Sequence, residues 1–252
     1  MAEVVDLIDK IKRYYTFTGH EIKGLAITIL VFAFVISFKD WGDKTFNLAA
    51  GIFNLFNAIL IVTLSMLVYD AGKRIWALII GYRVEYQMWG IGLILSLVIV
   101  FLTNGNLWLL LPGGFVVHHM SGHRLGWFRY GINYFGIAMV AFAGSLFTLM
   151  LIIFFKILYL LVPNALIQKA IMFNVILVIT GLLPIPPLDG SKIYWGSRLM
   201  YAFVMPALVA ATILMVIKIS VLLSLVVSLL VGIILWTAYY VGFEHHAWTG
   251  PK

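Results

Sequence analysis

The chain has 252 residues, 63% of them hydrophobic and only 11% charged, with a formal net charge of +7 and no cysteine. A soluble domain is nearer half apolar and a quarter charged, so this composition excludes an ordinary water-soluble globule, and the lack of cysteine excludes disulfides, thiol catalysis and cysteine metal sites. The basic residues form no run interleaved with aromatics, which argues against nucleic acid and for charges at the ends of membrane spans.

Residues 1–24 carry Glu3, Asp6, Asp9, Lys10, Lys12 and Arg13, with Val4, Val5, Leu7, Ile8 and Ile11 along one side. That pattern predicts an amphipathic cytoplasmic helix on the membrane surface. No short apolar stretch with a small-residue cleavage site follows it, so it does not read as a signal peptide. The first apolar run is 25–38, closed by a polar loop from Lys39 to Lys44. The second is 48–68, with a helical pattern continuing to about residue 80. Residues 81–90 alternate as a short strand would.

The run 91–111 is broken by Thr103-Asn104-Gly105-Asn106. Asn-Gly is a strong turn signal, and the two pieces are too short to cross twice, so a re-entrant or surface hairpin is expected. An irregular stretch is expected from Pro112 to Arg129. Further spans are expected at 132–155, 165–183, 199–217 and 219–241, where about 20 mostly apolar residues suffice.

The expected fold is thus an all-α polytopic membrane protein with about six transmembrane helices and a short β or re-entrant hairpin region. It divides into residues 1–24 at the surface, a membrane core over 25–198, and a C-terminal helical pair with a short tail over 199–252. If 91–111 does not cross, most lysines and arginines fall on the side of the N-terminus. Lys39, Lys44, Lys156, Lys169 and Lys218 fall on the other. The positive-inside rule then places both termini in the cytoplasm.

Two strings carry chemistry. Leu183-Pro184-Ile185-Pro186-Pro187-Leu188-Asp189-Gly190 ends an apolar helix with a carboxylate near the membrane. Such a group is either a helix stop at the interface or a residue with a task. Val68-Tyr69-Asp70-Ala71-Gly72-Lys73-Arg74 lies at the inner end of the long second helix. Tyr69 and Lys73 share a face there, although lysines at helix ends also snorkel to water.

Together these strings resemble the site-2 protease family of intramembrane zinc metalloproteases, which carries His-Glu-x-x-His on one span and an Asp-Gly motif on a later one. The resemblance covers about residues 22–198 and is strongest with compact archaeal-type members. Gly81 and the alternating residues after it, Pro112-Gly113-Gly114, and Ala143-Gly144-Ser145 with Thr148 match further family features. The resemblance assigns Asp189 to the third zinc ligand. It places Tyr69 and Lys73 where the two histidines should be, Asp70 in place of the glutamate, and Gly181 in place of an asparagine. A catalytic zinc needs about three protein ligands and an open position, and only Asp189 remains of that set. The family cofactor is therefore expected to be absent.

The resemblance implies a pseudoprotease in a prokaryotic plasma membrane, with the lipid bilayer and a transmembrane client or subunit as partners and no nucleic acid. It also turns Lys73 toward Asp189, where its ammonium would stand in for the metal, with Tyr69 donating a hydrogen bond. In the alternative, Lys73 snorkels and Asp189 caps the following helix. Two other functions stay open. One is a hydrolase with a rearranged site using Asp70, Asp189 and His119 or His123, whose His-x-x-x-His spacing would suit a metal on a helix. The other is a transporter or channel subunit, against which the scarcity of intramembrane charge and the lack of an inverted repeat count.

Overall fold

A computed structural model describes residues 2–41, 46–120, 133–217 and 219–244. Helix α1, Ala2–Tyr14, leads into α2, Gly19–Ser37. The start of α2 precedes the first apolar run because Thr18 and Glu21 form a reciprocal capping box there. Helix α3, Leu48–Ile80, is capped by the Asn47 side chain and ends at Gly81 in the left-handed conformation, φ 91°.

Strand β1, Tyr82–Met88, follows, then helix α4, Gly90–Leu102. At 13 residues α4 is about 20 Å long, too short to cross. Asn104 and Gly105 turn the chain at φ 48° and 73°, and it returns to strand β2, Gly113–His119. The stretch after Pro112, expected to be irregular, is thus ordered through His119. β2 pairs antiparallel with β1 from Tyr82 opposite His119 to Met88 opposite Gly113, so its order comes from a partner rather than from its own pattern.

Helices α5, Tyr134–Leu161, and α6, Ala165–Gly181, are each capped by the preceding asparagine. The prolines at 184, 186 and 187 separate α6 from the short helix α7, Asp189–Gly196. Helix α8, Arg198–Val216, and α9, Val221–Tyr239, complete the bundle, each capped by a serine. Among the described residues, five helices are long and apolar enough to cross a membrane: α2, α3, α5, α8, and α9 with its extension to Glu244. Helix α6, with 17 residues, is at the short end of what spans a bilayer.

Helix association inside lipid relies on close packing and small residues more than on the hydrophobic effect. Ser224, Ser228 and Gly232 form such a stripe on α9. A Cβ at Gly232 would lie 2.8 Å from that of Ala207 on α8. Residues of α8 such as Val204, Leu208 and Ala211 share one core with Val140, Ile152 and Val178 of α5 and α6. Residues 199–217 therefore pack with the preceding helices as well as with α9.

Candidate functional site

The inner end of α3 brings charge into the packed interior. Asp70, Lys73 and Arg74 are each 3% exposed or less, Glu21 1%, and Asp189 0%. Ions so buried persist only when paired and hydrogen-bonded, and two clusters meet that condition.

In the first, the Lys73 ammonium lies 2.6 Å from Asp189 Oδ2. The Tyr69 hydroxyl donates to the same oxygen at 2.5 Å. The ammonium also stands 3.7 Å from the centre of the Tyr69 ring. Asp189 reaches this position as the first residue of α7, where its charge also suits the positive end of the helix. Its other oxygen, Oδ1, is buried and has no hydrogen-bond partner among the described residues. Two glycines make room for the arrangement. A Cβ at Gly144 would come within 2.6 Å of Lys73 Cε, and one at Gly181 within 3.4 Å of the Tyr69 hydroxyl. A larger side chain at 181 and a tyrosine at 69 would compete for the same space.

In the second cluster, Arg74 pairs with Asp70 one turn away and with Glu21 on α2. It donates as well to the Thr16 carbonyl, and its guanidinium lies 4.1 Å from the Phe17 ring centre. Glu21 accepts from the Tyr86 backbone at 2.7 Å, which ties β1 to α2. The Tyr86 hydroxyl bonds the Pro112 carbonyl and Thr28. Its pKa is pushed upward, chiefly by burial, with Asp70 and Asp189 adding to the rise and the Thr28 hydrogen bond opposing it.

Lys192, on the next turn of α7, completes the group. Its ammonium lies 3.8 Å from the Phe115 ring centre and 3.4 Å from the Pro187 carbonyl. Burial lowers its pKa to about 8, with Asp189 raising it and Lys73 lowering it further. Glu21, Asp70 and Asp189 are thus balanced by Lys73, Arg74 and Lys192, and the two clusters together carry no net charge.

The structure brings Tyr69, Lys73 and Asp189 together and gives Asp70 to Arg74 instead. Each of the two aspartates bonds its own cation and no hydrogen bond joins them, so a carboxylate pair sharing a proton is not formed. Asp189 does not act as a side-chain cap of α7. His119 lies at the end of β2, 5.2 Å from the Tyr82 ring. The helical His-x-x-x-His arrangement therefore does not hold at that position. His123 lies outside the described residues, and among them no group of three metal-binding side chains forms. Zinc does not fit the Asp189 site as the described residues form it: one carboxylate oxygen is the open donor, the other already accepts from Lys73 and Tyr69, and an ammonium ion lies beside it.

The sequence assigned no role to Glu21, Arg74, Tyr86 or Lys192, although Arg74 ends one of the two strings that carry chemistry. The signal for Glu21 was present in the Thr18-x-x-Glu21 spacing, which marks a helix start, but nothing in that spacing points to Arg74. No family model matches the chain, and neither curated proteins nor solved structures give a match.

Proposed function

We propose that the chain is a non-catalytic membrane protein built on a site-2 protease-like plan, which binds transmembrane helices or partner subunits. The observation that carries this reading is the closure of Asp189 by Lys73 and Tyr69. The ammonium supplies one fixed positive charge beside the carboxylate and, unlike a metal, offers no open coordination position for water. What the site can do chemically is hold α3 and α7 in one arrangement. The hydrolase with a rearranged site is the weaker reading, because among the described residues Asp70 and Asp189 each bond their own cation and form no carboxylate dyad. The charge distribution favours both termini on the cytoplasmic side, and the resemblance implies a prokaryotic plasma membrane.

Metal analysis of the purified protein tests the reading. The native chain is expected to carry no zinc. The double variant Tyr69→His, Lys73→His restores two ligands beside Asp189 and is expected to bind about one zinc per chain. Stoichiometric zinc in the native protein would overturn the proposal. For the partner, a photo-crosslinker at Ile94, an exposed residue of α4, is expected to capture a membrane polypeptide. Capture of lipid alone would remove the helix-binding half of the reading.

A further inference from the structure

At the opposite end of the bundle, a cavity of about 420 Å³ opens where α5 and α8 end and α6 and α9 begin. It falls within the roughly 300–1,000 Å³ range of small-molecule sites. Its walls are largely apolar, with Ile171, Met172 and Met215 among them, and Gln168 and Ser220 stand on the exposed side. Lys156 lines it and is 6% exposed.

Lys156 is unlike Lys73 and Arg74, which are paired with carboxylates. Its ammonium donates to the Met215 carbonyl at 2.7 Å and the Ile217 carbonyl at 2.5 Å, at the end of α8. Two carbonyls use two of its three N–H groups. Among the described residues no carboxylate reaches it, and the cavity wall contains no acidic side chain. The neighbouring Lys169, by contrast, is matched by Asp40. A buried ammonium with no counter-ion, lining an apolar hollow at the ends of membrane helices, calls for an anion with an apolar body.

We infer that the cavity holds one acyl chain of an anionic glycerophospholipid, with its phosphate on the third N–H of Lys156 and within reach of Gln168 and Ser220. The apolar walls take the chain, and they give a bare inorganic phosphate nothing to replace its water. Neither a metal nor a partner protein is needed, and the site stands independently of the Asp189 cluster.

Native mass spectrometry of the full chain in detergent tests this with phosphatidylglycerol and phosphatidylcholine of identical acyl chains. Both lipids offer a phosphate to Lys156, but phosphatidylcholine also carries a fixed cation that cancels its charge and is repelled by the ammonium, so the wild type is expected to retain phosphatidylglycerol about tenfold better. Lys156→Met should retain both lipids equally, and Lys156→Arg should keep the preference. Met172→Trp fills the cavity without touching the ammonium and should lose both lipids, with a melting curve for each variant to establish folding. Equal retention by the wild type, or an undiminished preference in folded Lys156→Met, would overturn the inference. Displacement of phosphatidylglycerol by inorganic phosphate alone would overturn it too, since the headgroup would then be the whole ligand.

Discussion

Two lysines buried almost equally, Lys73 at 2% exposure and Lys156 at 6%, sit at opposite ends of the bundle and are treated differently. Lys73 faces a carboxylate and a phenol inside a charge-balanced group drawn from α2, α3 and α7. Lys156, among the described residues, faces the carbonyls that end α8 and no carboxylate. An ion deep among helices must find its counter-charge in the protein, because nothing else can reach it. An ion at the helix ends can take its counter-charge from the membrane. The difference separates a site closed on itself from one left open.

Asp189→Leu attacks the closed site directly. It leaves Lys73 buried and unmatched, which should cost about 3–5 kcal/mol and lower the melting temperature by roughly 10 °C. Removing both charges in Lys73→Met, Asp189→Leu should recover most of the loss, since apolar replacements of a buried pair are often near neutral. Thermal melts of the two single variants and the double variant complete the cycle. Simple addition of the two losses would mean that the two residues act separately, and the contrast with Lys156 would lose its basis.

Much of the bundle was legible because its physics is local. Apolar runs gave the spans, the alternation over 81–90 gave β1, and Asn104-Gly105 gave the turn after the 13 residues of α4. The meeting of Lys73 with Asp189 was legible only through the resemblance, because nothing within either string says that the two approach. What stayed hidden depends on contacts distant in sequence. Glu21 resembles any polar residue of an N-terminal segment until Arg74 arrives from α3. Gly113-Gly114-Phe115-Val116-Val117 lacks strict alternation and is a strand because β1 offers its edge. Lys156 resembles an ordinary charge outside the membrane, and only the end of α8 buries it.

Lys192 offers a finer measure of how closed the Asp189 site is. Its pKa of about 8 lies below the ordinary 10.5, chiefly through burial. Between these values the unfolded chain binds the proton that the folded one has released, so stability rises with pH across that window. Discounted for partial exposure, the gain is about 1–2 kcal/mol. The melting temperature should therefore climb by a few degrees from about pH 7.5 to about 9.5, and Lys192→Met should flatten the climb. The same slope in both proteins would assign it to other groups and leave Lys192 in contact with water.

Lys156→Met should do least in lipid-free detergent. The change gives up two charge-assisted bonds to the carbonyls of Met215 and Ile217, but it also removes an ammonium whose burial nothing in the described protein offsets. These effects oppose each other, and the net change should stay within about 1 kcal/mol, or some 2–4 °C in a melt. A fall as deep as that of Lys73→Met would mean that the carbonyls alone satisfy Lys156 and that the two ends of the bundle obey the same rule. Added phosphatidylglycerol separates the cases further. A ligand that binds only the folded state raises its melting temperature, so the wild type should gain stability from the lipid while Lys156→Met gains little.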